Sequence, residues 1–161
     1  MSRFTNALLV APLSDGKSWV IVGDFGYDIG EEGSSEKVDV ERGFVTDFAS
    51  VPRVLWWVLP KWGLYGNAAV IHDWLYWEQS TSRKRADDLL LEAMEVLEVP
   101  SLKKKAIYSA VRTFGGWAWK RNKWDKDSGF NRVITDTVIA SSVTIDRPGI
   151  FKKTLEQISI G

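Results

Sequence analysis

The sequence contains no cysteine, which excludes a disulfide framework, a thiol nucleophile and a cysteine-ligated zinc. It contains one histidine, His72, so metal sites built from several imidazoles are excluded and a single side chain titrates near neutrality. It has no excess of charge, since 21 lysines and arginines face 21 aspartates and glutamates, and no overall field draws the chain to nucleic acid or to an acidic partner. No apolar run is long enough to span a bilayer, and Met1-Ser2-Arg3-Phe4-Thr5 is not followed by the apolar stretch and cleavage site of a signal peptide. The chain is therefore expected to be made in the cytoplasm. What remains is an ordinary globular composition, 45% hydrophobic and 26% charged over 161 residues, enough for one compact core with an appendage. Nine tryptophans stand out; packing in the core and its rim is their simplest use, and a membrane-interface or carbohydrate role is the lesser alternative.

From Phe4 to Val45 short apolar runs alternate with turn formers, which reads as antiparallel β structure. Ser14-Asp15-Gly16-Lys17 predicts a hairpin, because aspartate and glycine tolerate the positive φ of tight turns. Beyond Gly43-Phe44-Val45-Thr46-Asp47-Phe48-Ala49-Ser50-Val51-Pro52-Arg53 the pattern turns helical. Val54 to Leu59 predicts a helical turn, and Ala68 to Trp77 a helix with Asn67 as its cap. Arg83 to Leu97 predicts a second helix capped by Ser82. A third begins at Pro100-Ser101, with Leu102, Ala106, Ala110, Val111, Phe114 and Ala118 as its apolar stripe. The polar stretch Asp125 to Gly129 then precedes β-branched runs over Val133 to Val143. The expectation is an α+β protein: an N-terminal antiparallel β ribbon on a three-helix unit over residues 1–124, and a β-rich C-terminal extension over 125–161 that docks to a partner. The lysines at 103–105, with Lys120, Arg121, Lys123 and Lys126, read as a solvated helix face, and nucleic-acid binding is not expected.

Chemistry can concentrate at His72-Asp73-Trp74-Leu75-Tyr76. Residues four apart share a helix face, so His72 and Tyr76 point together while Asp73 is turned by about 100°. An imidazole there can take a proton from water, and the neighbouring carboxylate can hold a hard cation. The short Glu78–Ser82 connection folds the second helix back, which lets Asp87 orient the imidazole and accept from the Tyr76 hydroxyl. The same residues suit a purely structural role, with His72 bonded to a carbonyl, Asp73 paired to an arginine and Tyr76 as packing. Asp47, Ser50 and His72 also have the residue types of a hydrolase triad, although the Gly-x-Ser-x-Gly elbow is missing, and Arg53 could neutralise one of the acids.

The spacing His72-Asp73-x-x-Tyr76 followed by Arg85-Ala86-Asp87 resembles the helix pair of A2-type phospholipases, especially their cysteine-free capsid-borne and bacterial branches. That resemblance implies calcium as cofactor, with His72 activating water, Asp73 binding the ion, Asp87 orienting the histidine and Tyr76 supporting it. The glycine-rich calcium loop of those enzymes has no counterpart before His72, so Asp47 to Arg53 or Gly63 to Asn67 would have to substitute. A longer set, Gly43 to Arg53, Gly63-x-x-Gly66, His72-Asp73-x-Leu75-Tyr76, Arg85-Ala86-Asp87 and a tryptophan-rich third helix, resembles a phage and prophage domain of unknown function, family 1353, over about residues 2 to 121. It implies phage origin, with genes beside tail or lysis functions.

Two functions are therefore expected to compete. One is a calcium-assisted ester hydrolase acting on membrane lipid, with His72, Asp87 and Tyr76 as catalytic group, Asp73 and Asp47 toward the metal, and Ser50 and Arg53 nearby. The other is a virion or tail-associated protein that binds other phage structural proteins and uses the histidine–carboxylate network as a staple.

Overall fold

A computed structural model describes residues 1–47 and 65–142, the side chains of 141 and 142 excepted. The helical turn expected over Val54 to Leu59 and the tail from 143 onward lie outside the described residues. The chain is α+β. Strands β1 (Arg3–Phe4), β4 (Phe25–Asp28) and β5 (Lys37–Val40) form one antiparallel sheet in the order β1-β4-β5. Strands β2 (Val10–Pro12), β3 (Trp19–Ile21) and β6 (Val45–Thr46) form another in the order β2-β3-β6. The hairpin predicted at Ser14–Lys17 joins β2 to β3. Asp15 Oδ1 accepts from the backbone N–H of Lys17 at 2.9 Å and of Ser18 at 2.8 Å, and Gly16 takes a φ of 66°. These bonds hold the Asp15 carboxyl down at about 2.

Helices α1 (Gly66–Glu78), α2 (Arg83–Val96) and α3 (Ser101–Asp127) follow, then α4 (Asp136–Ser142). Helix α1 is buried on every side, with each residue from Ala68 to Trp77 inside the core. A helix apolar all round is a central element, which is why its sequence carries little amphipathic signal. It starts one residue before the expected cap: Tyr65 occupies the N-cap without a side-chain bond, and Asn67 is already helical. Ser82 does cap α2, its Oγ accepting from Arg85 N at 3.2 Å. Helix α2 is clamped to the β layer by Glu92, whose Oε1 accepts from Ser2 Oγ at 2.5 Å and Tyr27 OH at 3.2 Å.

Two expectations are corrected. In α3, Leu102, Ala106 and Phe114 are exposed, while Ile107, Ala110, Val111 and Gly115 face the core. Apolar side chains cover about half the circumference of this helix, so spacing alone does not choose the buried half. Of the β-branched run Val133 to Val143, only the start is extended among the described residues: Phe44 and Val133 form an antiparallel bridge, Val45 N donates to Arg132 O at 2.8 Å, and Ile134 N to Gly43 O at 3.0 Å. From Asp136 to Ser142 the chain is helical, with an acidic residue in the first turn, where the helix dipole favours it, and with Ile139 buried. Helix α3 itself runs without a break across the expected boundary between 124 and 125.

Candidate functional site

The α1–α2 hairpin places its chemistry as the spacing predicted. His72 and Tyr76, one turn apart on α1, lie with ring centroids 4.1 Å apart and ring planes tilted by 42°. Both reach Asp87 of α2: His72 Nε2 lies 2.9 Å from Oδ1, and the Tyr76 hydroxyl donates to the same oxygen at 2.7 Å. The other oxygen, Oδ2, accepts from Arg112 Nη1 at 2.5 Å and faces Arg83 Nη1 at 3.5 Å. Arg83 is fixed in turn by the carbonyls of Val111 and Arg112, each at 3.2 Å. Asp87 is thus a fully buried carboxylate at the junction of three helices, with its charge balanced by Arg112 of α3 and Arg83 of α2 itself. His72 Nδ1 is buried and has no hydrogen-bond partner among the described residues.

Those contacts set the protonation states. Burial lowers the pKa of His72 below that of an exposed imidazole, against the opposing pull of Asp87. For Asp87, burial pushes upward, but hydrogen bonds from His72, Tyr76 and Arg112 outweigh it and hold the carboxyl below its ordinary range. Burial and the adjacent carboxylate push the Tyr76 phenol well up, so it stays protonated and donates to Asp87. With two guanidinium groups already facing Asp87, the imidazole need not be charged: Nε2 carries the proton toward Asp87, and Nδ1 keeps its lone pair.

Asp73 points away from this pair, as a 100° turn requires. Its Oδ2 accepts from Thr46 Oγ1 at 2.5 Å, which ties β6 to α1 inside the core. Asp47, the next residue, pairs with Arg132 at 3.5 Å and lines a hollow with Trp117, Arg121, Asn122 and Arg132. Ser50 and Arg53 lie outside the described residues, so the triad reading and the expected neutralising arginine do as well. Among the described residues, no group of three or more histidine, aspartate or glutamate side chains could hold a metal ion. A calcium ion takes about six to eight oxygens, and Asp73 brings one carboxylate of which one oxygen is occupied by Thr46. The described residues do not by themselves make up a calcium site.

Four contributors escaped the sequence reading: Arg83, Arg112, Thr46 and Gly115. Arg112 and Thr46 reach the site from elements distant in sequence, and no local pattern announces them. Gly115 had a signal, a glycine within a helical pattern. A Cβ there would sit 2.4 Å from the Tyr76 hydroxyl, so the missing side chain is the space in which that hydroxyl reaches Asp87.

The whole is a helix hairpin holding an oriented imidazole against two small antiparallel sheets. The chain belongs to the family described as protein of unknown function, DUF1353, whose pattern matches residues 19–111, a narrower span than residues 2 to 121. It is similar to the uncharacterized protein y4jT of Sinorhizobium fredii (strain NBRC 101917 / NGR234), with 33% identity over 94 residues, 57% of this chain. The matched region spans only 27% of that relative's length. No solved structure matches the chain significantly.

Proposed function

We propose that the protein is an ester hydrolase in which His72 activates water, by the chemistry of A2-type phospholipases. One observation carries the reading: Nε2 of the lone histidine is locked to a buried, fully satisfied carboxylate, while Nδ1 is left with a lone pair and no described partner. A buried polar atom without a bond calls for a reason, and a water held for reaction is one. In the proposed step Nδ1 takes a proton from that water as its oxygen attacks the ester carbonyl. The imidazolium then returns the proton to the departing alkoxide, leaving acid and alcohol. Asp87 holds the ring in the productive tautomer and stabilises its transient charge, and Tyr76 and Arg112 hold Asp87. The ring is 1% exposed, so turnover requires a path for water and substrate to open beside it.

That burial favours a second reading, in which the same network is a staple in a non-enzymatic phage structural protein. Purified protein assayed on phospholipid vesicles, with calcium or with a chelator, separates the two. Hydrolysis predicts ester cleavage that falls at least about a hundredfold in His72→Gln and Asp87→Asn, measured on variants whose circular dichroism shows an intact fold. Absence of cleavage by the wild type, or cleavage indifferent to His72→Gln, overturns the hydrolase. Loss on chelation alone would show that an ion takes part, bound with the help of groups outside the described residues.

A further inference from the structure

Helix α3 presents a second surface that the hydrolase reading does not use. At 100° per residue, Leu102, Ala106, Phe114, Trp117 and Trp124 fall within an arc of about 120° on its outer side, an arc interrupted by the buried Ala110. All five are exposed, Leu102 to 83%, Trp117 to 70% and Trp124 to 68%. The spread from Leu102 to Trp124 is about 33 Å along the axis. Lys103, Lys120 and Arg121 project from the same arc. Over Ser101–Asp127 eight lysines and arginines meet two aspartates, a net of +6 in a chain whose total is zero. Both aspartates are paired, Asp125 with Arg121 at 3.7 Å and Asp127 with Lys123 at 2.9 Å. A long row of exposed apolar and indole side chains framed by cations is costly in water and matches one environment well: the headgroup region of an anionic bilayer.

We propose that the outer face of α3 docks the protein on an anionic lipid surface, with Trp117, Trp124, Phe114 and Leu102 entering the interface and Lys103, Lys120 and Arg121 on the headgroups. Tryptophan suits that depth because its ring is apolar and its N–H finds a wet partner. A second copy of the chain fits less well, since a symmetric pair would set the cations of one α3 against those of the other. Nucleic acid would reward the cations but gain nothing from Leu102, Ala106 or Phe114.

The inference stands apart from the role of His72, so its test uses lipids with no ester to cleave. Full-length protein is sedimented with vesicles of ether-linked phosphatidylcholine, and with the same lipid mixed with ether-linked phosphatidylglycerol, at low salt. Binding to the mixed vesicles is expected, with little to the zwitterionic ones. The triple variant Lys103→Glu, Lys120→Glu and Arg121→Glu should bind on the order of a hundredfold more weakly, and Trp117→Ser with Trp124→Ser at least about tenfold. Unchanged melting profiles check that these exposed substitutions leave the fold intact. The proposal is overturned by failure of the wild type to sediment, by equal binding to both vesicles, or by variants that bind as the wild type does. It is equally overturned by a dimer in sedimentation velocity that the tryptophan pair dissolves, or by tighter retention of an oligonucleotide than of the mixed vesicles.

Discussion

His72 is held neutral by burial, and that gives the protein a pH dependence of definite sign. Its pKa is lowered in the folded state from an ordinary value of 6.5, so the unfolded chain binds the proton more readily. Stability is then fully present above the unfolded value and is lost as pH falls below it. Asp87 adds a second step in the same direction, because its pKa is also lowered and its contribution disappears as pH falls below the ordinary 3.8. Melting temperature should therefore decline from pH 7.5 toward pH 5, and His72→Gln should flatten that first decline while the acid step remains. Removing the shared acceptor should cost most: Asp87→Asn is expected to lose about 2–4 kcal/mol in urea unfolding, since two donors and two guanidinium groups depend on it. Tyr76→Phe removes one bond among several and should lose only about 1 kcal/mol. His72, Tyr76 and Asp87 could be read beforehand because helical spacing and a short connection decide which side chains meet. Arg112 and Thr46 could not, because their approach depends on how whole elements pack.

Among the elements, α3 shows most clearly what a linear pattern can and cannot supply. Its existence follows from Pro100-Ser101 and the apolar spacing beyond, but the choice of buried half follows from where Tyr76 and Asp87 stand. Two adjacent glycines make this measurable. Gly115 faces the Tyr76 hydroxyl with no room for a methyl group, whereas a Cβ on Gly116 meets nothing within 4 Å. Gly116→Ala should stabilise by about 0.5–1 kcal/mol, the ordinary gain of alanine inside a helix. Gly115→Ala collects the same gain but must displace Tyr76 from Asp87, and overpacking of this kind costs about 1–3 kcal/mol, so the net effect should be a loss. Thermal unfolding of the pair checks the contrast, and two equally stabilising substitutions would show that the hydroxyl is not confined as described. The start of α2 was legible because the Ser82 side chain makes its cap, and that of α3 because Pro100 precedes it, whereas the start of α1 was displaced to Tyr65, which makes no side-chain cap.

For the molecule as a whole, the decisive feature is that the chain returns to the β layer after α3. Asn131 to Ile134 runs antiparallel to Gly43 to Val45, Arg132 Nε donates to Val45 O at 3.1 Å, and Arg42 holds Asp136 at 3.1 Å. The polar stretch after Trp124 suggested a boundary because its composition changes there, yet long-range backbone pairing leaves no compositional trace. Gly43 is the hinge of this closure. It sits at a φ of 91°, and a Cβ would come within 2.2 Å of Ile134 O. An alanine would therefore meet both a backbone conformation costing about 1–2 kcal/mol and a carbonyl that cannot yield without breaking the Ile134-to-Gly43 bond. The expected outcome for Gly43→Ala is release of residues 131–142 from the sheet with the α1–α2 hairpin still formed. Limited trypsinolysis should then cut at Arg132, which in the wild type is engaged by Val45 and Asp47, before cutting at Arg83. If Arg132 and Arg83 became susceptible together, the return segment would be part of one cooperative unit with the hairpin, and the fold could not be opened from its C-terminal side alone.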